Sequence, residues 1–125
     1  MPSNKPMPKM DSVSKTYITI TMDEGDDVYT CIRQTMQDNK LIRCNAETCS
    51  GNIKEGSVNR YTGTAFRPID IVNMPIARVS GPFILRGGVF TGTLNIFSDE
   101  TRPLTGNLLK GTAAQDFMLK LSFIK

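Results

Sequence analysis

Residues 16–39 read TYITITMDEGDDVYTCIRQTMQDN and contain two hydrophobic periods, one after the other. From Thr16 to Met22, apolar and hydroxyl-bearing side chains alternate, which is typical of a strand with one buried face. After the acidic turn, apolar residues recur every three or four positions, which predicts a helix with one apolar side. The fold therefore starts with a strand that leads through a turn into an amphipathic helix.

Both ends of this helix have candidate caps. We expect the carboxylate of Asp26 to accept hydrogen bonds from the free amides of the first turn. Asn39 can adopt a left-handed conformation and so end the helix. The stripe expected to lie on a sheet comprises Val28, Cys31, Ile32, Thr35 and Met36.

Beyond Lys40 the pattern is almost entirely that of β-strands. In residues 41–50 the apolar face would comprise Ile42, Cys44, Ala46 and Thr48. Residues 62–68 have the composition of a loop, residues 89–98 of one strand, and Asp99–Pro103 of a hairpin loop. One helix with about seven or eight strands predicts an α+β fold, in which the helix packs on a curved, largely antiparallel β-sheet.

Length and composition limit the domain organisation and the class of protein. The 125 residues, with 39% hydrophobic and 22% charged side chains, suit one globular domain. Residues 1–14 contain prolines and no hydrophobic period, which predicts a flexible N-terminal tail before a single domain at 15–125. No apolar segment follows Lys5 and no run could span a bilayer, so we expect a cytoplasmic protein that does not contact a membrane.

The chain contains no histidine, which is the usual acid/base group near neutral pH and a frequent zinc ligand. Its three cysteines, Cys31, Cys44 and Cys49, lack the spacing of zinc or redox motifs. Only Cys49, near a turn, would be reachable. We therefore expect reduced thiols, no catalytic residue, no metal and no cofactor.

The charged residues give no sign of a dedicated nucleic-acid surface. Fifteen lysines and arginines against twelve acidic residues leave a formal charge of +3, and the basic residues are spaced singly. A nucleic-acid domain usually clusters them, because each neutralised phosphate adds counterion release to the affinity. Ordinary solvated surface charge is the favoured interpretation.

Residues 89–111 read VFTGTLNIFSDETRPLTGNLLKG and hold short polar side chains within strand-like sequence. On the alternating pattern Thr93 and Asn95 share a face, and a hairpin through Asp99–Pro103 would bring Asn107 beside them. Such a cluster is either a satisfied polar patch on a sheet or a small pocket for a neutral or anionic ligand. The residues leave both interpretations open.

The order of these strands, turns and glycines resembles that of the PPC (plants and prokaryotes conserved) family. Residues 17–42 match its opening strand, its acidic turn after a glycine and its helix. CNAETCSGN at 44–52 matches a strand with a Ser/Gly turn, and ARVSG at 77–81 matches a leucine-Ser-Gly element. The family signature of His-x-His, a hairpin and Gly-Gly-His-Leu corresponds here to TLNI at 93–96 and TGNLLKG at 105–111.

The chain departs from the family at every histidine of that signature. Thr93 and Asn95 replace the paired histidines, and Asn107 replaces the third. Hydroxyls and carboxamides are poor zinc ligands, so we expect the metal site to be lost. The three side chains remain candidates for binding some other ligand.

The resemblance implies a non-enzymatic protein that is DNA-associated or regulatory and acts as a homotrimer, with weak and non-specific binding to DNA. The alternative is a module that binds a small molecule in a pocket at a subunit interface. The residues also favour an oligomer, because one helix cannot cover the apolar faces of so many strands and another subunit would cover the rest. The aromatic residues expected to form the core and the interface are Phe83, Phe90, Phe97, Phe117 and Phe123.

Overall fold

A computed structural model describes residues 14–61, 63–98 and 104–124. Within these ranges the chain forms one helix and ten strands. The expected flexible tail, apart from Ser14, and the expected hairpin loop at Asp99–Pro103 lie outside the described residues. In chain order the elements are β1 (Lys15–Met22), α1 (Val28–Asp38), β2 (Arg43–Ser50), β3 (Asn52–Tyr61), β4 (Phe66–Pro75), β5 (Arg78–Ser80), β6 (Pro82–Arg86), β7 (Val89–Gly92), β8 (Asn95–Ser98), β9 (Leu104–Ala113) and β10 (Phe117–Ile124).

The strands form two five-stranded antiparallel sheets. The first sheet has the order β1-β10-β2-β6-β7, and the second has the order β4-β3-β9-β8-β5. Helix α1 contacts β1 and β6 of the first sheet and β9 of the second. The predicted α+β fold, one helix on largely antiparallel β structure, is confirmed, with the strands divided between two sheets.

Apolar side chains from the helix and both sheets form one buried core. Phe83 and Phe117 are fully buried in it, as expected, whereas Phe90 and Phe123 are half-buried and pack against its edge. Replacing a buried phenylalanine by alanine costs about 3–5 kcal/mol, so these two rings are central to stability. The largest fully buried side chains also include Met22, Ile32, Met36, Ile53, Leu94, Ile96, Leu108, Leu119 and Leu121.

The helix is capped one residue later than the sequence suggested. Asp27, not Asp26, is the N-cap, and its carboxylate accepts from the Thr30 amide at 2.8 Å. The Asp26 carboxylate instead accepts from the Asp23 amide at 2.9 Å and closes the turn. At the other end Asn39 keeps a negative φ, and Lys40 takes the left-handed conformation with φ 55°.

A β-bulge in β2 changes which side chains face the core. Ala46 lies opposite Leu121 of β10, but Thr48 lies opposite the adjacent residue, so Glu47 is an extra residue in the ladder. One inserted residue reverses the alternation beyond it. Thr48 is therefore exposed and Cys49 is half-buried. The expectation that Thr48 lies on the apolar face is wrong for this reason.

Residues 89–98 form two strands in different sheets rather than one continuous strand. Gly92 ends β7 with φ 133°, and a Cβ there would lie 2.4 Å from the Pro82 carbonyl oxygen. Gly81 has φ 138°, and its Cβ would lie 2.2 Å from the Thr93 carbonyl oxygen. Only glycine fits both positions. The chain can therefore cross from the first sheet to the second at Thr93.

The strand β4 begins inside the segment expected to be a loop. It starts at Phe66, contains Pro68 and Pro75, and forms one edge of the second sheet. An edge strand tolerates proline because only one of its sides needs ladder hydrogen bonds.

Among the described residues, no helix is long and apolar enough to span a bilayer.

Candidate functional site

Asn95 and Asn107, two of the three predicted site residues, lie directly opposite each other on β8 and β9. Ser80 of β5 is opposite Asn95, and Asn59 of β3 is opposite Asn107. Opposed residues of antiparallel strands lie on the same face of a sheet. Ser80, Asn95, Asn107 and Asn59 thus form a polar row across four strands of the second sheet, on the face away from the core.

Thr93 lies beside the polar row, at the crossing between the sheets. It shares an open hollow of about 350 Å³ with Asn107, and Tyr29, Phe90, Gly92, Leu108 and Leu109 complete the lining. Asn95 is outside this lining, and its Nδ2 donates to Ser80 Oγ at 3.5 Å. The structure therefore pairs Asn107 with each of the other two residues but does not bring all three into one pocket.

Tyr29 fixes the wall of this hollow from the helix. Its hydroxyl donates to the Leu108 carbonyl and accepts from the Leu94 amide at 2.9 Å. The Leu108 amide in turn donates to the Leu94 carbonyl at 2.8 Å. Burial raises the pKa of the Tyr29 phenol, so the group stays protonated and can donate.

The donor set at these positions does not fit a metal ion. The polar row offers hydroxyls and carboxamides, which bind zinc weakly compared with imidazole or thiolate. No group of three or more His, Cys, Asp or Glu side chains among the described residues could hold a metal.

A second feature, which the sequence analysis missed, is a groove beside the first sheet with a volume of about 510 Å³. We call it the basic groove, because its lining, among the residues that the structure describes, holds four cations and no carboxylate. The cations come from three separate parts of the chain, at Lys15, at Lys40 with Arg43, and at Arg86, so their spacing in sequence gave no sign of the cluster. Its lining comprises Lys15, Lys40, Leu41, Ile42, Arg43, Cys44, Asn45, Arg86, Ser122, Phe123 and Ile124.

Strand pairing and the helix end bring these cations together. Lys40 follows the end of α1, and Arg43 starts β2 opposite Ile84 of β6. The Leu85 amide donates to the Ile42 carbonyl at 2.8 Å, which ties the end of β6, and with it Arg86, to this segment. Lys40, Arg43 and Arg86 are all exposed to solvent.

The fourth cation, Lys15, is partly neutralised. Its Nζ lies 3.5 Å from Glu47 Oε2, and Ser122 Oγ donates to the same carboxylate oxygen. The hydrogen bond from Ser122 and the charge of Lys15 lower the pKa of Glu47, so this carboxylate stays ionised near neutral pH. Within the described ranges the other three cations form no salt bridge, so they are available to an external anion.

A hollow of similar size, about 480 Å³, lies on the second sheet near the start of α1. We call it the acidic hollow, since Asp27, Glu55 and Asp70 line it against one cation, Lys110. Asp27 is already engaged as the helix N-cap. The hollow also presents Val72, whose side chain is 68% exposed.

The three thiols are poorly suited to nucleophilic chemistry. Burial raises the pKa of Cys44 and of Cys49 to about 11. Burial and the nearby carboxylates raise the pKa of Cys31 as well. The prediction that only Cys49 is reachable is wrong, because Cys31 is exposed to a similar intermediate degree. Each thiol stays protonated near neutral pH.

No protein-family model and no curated protein matches this chain. Solved structures do match it. A PPC protein from Pyrococcus horikoshii superposes with a TM-score of 0.72 at 13% identity, covering 90% of this chain and 82% of that one. The chain has a PPC-like fold. A metal-containing protein from Archaeoglobus fulgidus gives 0.73 at 10% identity, covering 88% and 80% of the two chains.

A candidate DNA-binding protein from Ralstonia eutropha gives a TM-score of 0.70 at 16% identity, covering 86% of this chain and 76% of that one. At such identities the likeness concerns the PPC-like fold alone. The match agrees with the resemblance drawn from residues 17–42, 44–52 and 77–81.

Proposed function

We propose that this protein is a non-enzymatic, DNA-associated protein that contacts phosphates through the basic groove. The observation behind the proposal is the groove itself, where the described part of the chain gathers four cations and no carboxylate although the formal charge is only +3. Phosphate contacts supply most non-specific affinity for DNA. The description of a structural neighbour as a candidate DNA-binding protein also supports an association with DNA.

The helix is a poor candidate for reading bases. Its buried residues, Val28, Ile32 and Met36, anchor it to the core, and Arg33 is its one basic side chain. Arg33 Nη2 already donates to the Gly88 carbonyl at 3.4 Å. Contact through the groove cations alone would position DNA without selecting its sequence. We therefore expect weak binding with little sequence preference.

Catalysis forms no part of this proposal. The chain has no histidine to act as a base, and the buried thiols have raised pKa values.

We expect a homotrimer, as the resemblance implies. Phe97 is half-buried, its ring lies 4.7 Å from the Arg78 guanidinium carbon, and it shares a face with the polar row. Light scattering should give the mass of a trimer for the wild type and of a smaller or aggregated species for Phe97→Asp.

The test is salt-dependent binding of a labelled duplex, measured by fluorescence anisotropy. Three phosphate contacts by Lys40, Arg43 and Arg86 predict that affinity falls about 40-fold between 50 and 200 mM salt. In Arg43→Gln/Arg86→Gln the salt dependence should be much shallower. The matched control is Arg60→Gln/Arg67→Gln, which removes two exposed arginines that face each other on β3 and β4. Equal losses in both variants would contradict the proposal.

A small-ligand module remains the second candidate, and a specific observation favours it. Thr93 and Asn107 share an open hollow beside the polar row that includes Asn95. Hydroxyl and amide groups could bind a neutral or anionic metabolite there, with the hollow closed by a neighbouring subunit. A metabolite screen by thermal shift tests this, because ligand at 100 times its Kd stabilises by about 2.7 kcal/mol. The thermal shift should disappear in Asn107→Ala. Adding DNA should not change the binding of the metabolite.

A further inference from the structure

We infer that the basic groove binds an unpaired nucleic-acid strand in preference to a duplex. The inference rests on the proposed function and names its substrate class. It comes from the apolar side chains that lie among the groove cations, which phosphate binding alone does not require.

Two of the apolar side chains that line the groove are exposed to solvent. Ile42 is 53% exposed and Ile124 is 58% exposed, although both lie in β structure or next to it. Leu41 and Phe123 are half-buried and pack against the core behind them. These side chains line the same groove as Lys40, Arg43 and Arg86. The groove therefore offers apolar contact and cationic contact to one ligand.

A duplex and a single strand would use these two parts differently. A duplex presents phosphates on its outside and keeps its bases stacked inside, so it could contact the cations but not the apolar side chains. An unpaired strand presents both, and proteins that bind single strands combine a cationic groove with aromatic side chains on which the bases stack. In this groove Phe123 is the aromatic side chain, and Ile42 and Ile124 add exposed apolar surface. A groove of about 510 Å³ has the size of pockets that hold ligands comparable to a nucleotide.

An exposed amide in the lining favours a nucleotide over a lipid surface. Asn45 is exposed and lines the groove, whereas Ser122, opposite it on β10, is buried and already donates to Glu47. The Asn45 amide can hydrogen-bond a base edge or a sugar, whereas an acyl chain would leave it unpaired. The groove is also concave, which suits a flexible strand better than a flat bilayer.

The test compares a mixed-sequence single strand with the duplex of the same length at one salt concentration, by anisotropy with the full chain. We expect the single strand to bind about tenfold more tightly, since contacts to exposed bases add to the phosphate contacts. Ile42→Ser/Ile124→Ser should lower single-strand affinity about fivefold and change duplex affinity less than about twofold. Val72→Ser is the control, because it removes a comparably exposed apolar side chain on the second sheet. Circular dichroism checks that each variant is folded.

The outcomes separate this inference from the proposed function. If the duplex binds as tightly as the single strand and Arg43→Gln/Arg86→Gln weakens both, the proposed function stands and the preference for unpaired strands is wrong. If neither nucleic acid binds, or if the arginine variant binds like the wild type, both are wrong. Binding to phosphatidylserine vesicles without binding to the single strand would also overturn the inference.

Discussion

The basic groove and the acidic hollow are similar in volume, about 510 and 480 Å³, and opposite in charge. Among the described residues, the groove has four cations and no carboxylate in its lining, and the hollow has three carboxylates and one lysine. Both expose apolar side chains, Ile42 in the groove and Val72 in the hollow. The clearest difference between them is the sign of the charge, so comparing them tests what charge contributes to binding an anionic partner.

This comparison shows how little the net charge of +3 says about the surface. Charges in solution act over about 8 Å at physiological ionic strength, so a partner senses the local cluster and not the sum over the chain. A polyanion should therefore bind on the side of the groove and avoid the side of the hollow.

The largest effect should come from reversing charges in the groove. Arg43→Glu/Arg86→Glu turns two attractive phosphate contacts into repulsive ones, and we expect duplex and single-strand affinity to fall on the order of 100-fold. Anisotropy at low salt measures the loss. Arg60→Glu/Arg67→Glu makes the same change in net charge on the second sheet and should cost much less. Equal losses would mean that net charge, not the groove, governs binding.

The sequence was sufficient to predict the elements whose period is regular. The strand from Thr16 to Met22 and the helix that follows the acidic turn have unbroken patterns, and the structure confirms both. The prediction was wrong at Glu47, where the bulge reverses the alternation, and at Gly92, where the chain changes sheets. Both events depend on pairing with distant strands, which local periodicity does not contain.

Of the two candidate sites, the polar row could be predicted in part from the sequence and the basic groove could not. The pairing of Asn95 with Asn107 could be predicted, because one hairpin joins their strands. The basic groove could not, because Lys15, Lys40, Arg43 and Arg86 meet only once β1, β2 and β6 have taken their places around β10. A sequence can therefore look poor in basic clusters while its fold assembles one.

The second prediction concerns Cys44, the thiol in the lining of the groove. Its pKa is about 11 in the fold against an ordinary value of 9, because burial disfavours the thiolate. The folded state therefore holds this proton more tightly, and the stability from the neutral thiol is intact below pH 9 and lost as the pH rises towards 11. The loss is on the order of 3 kcal/mol. Thermal unfolding should show a steeper decline over this range for the wild type than for Cys44→Ala, and parallel declines would contradict the assignment.

The third prediction tests whether Asp27 serves the helix or a ligand of the acidic hollow. Asp27→Ala removes the N-cap and should lower the free energy of unfolding by about 1 kcal/mol, as other N-cap losses do. Asp27→Asn keeps a side-chain acceptor, so chemical denaturation should find it close to the wild type. DNA affinity should be unchanged in both variants at a temperature where they are folded. A stability loss as large in Asp27→Asn would show that the charge matters more than the cap.

The smallest effect should come from the remaining carboxylates of the acidic hollow. Glu55→Gln/Asp70→Asn removes two negative charges without changing the shape of either side chain, and both residues are exposed. The weaker repulsion of phosphates should raise DNA affinity about threefold at low salt and leave it unchanged at high salt, where distant charges are screened. Anisotropy at the two salt concentrations measures both values. A fall in affinity would mean that the hollow contributes favourable contacts to DNA, and the division of the surface into a binding side and a repelling side would then be wrong.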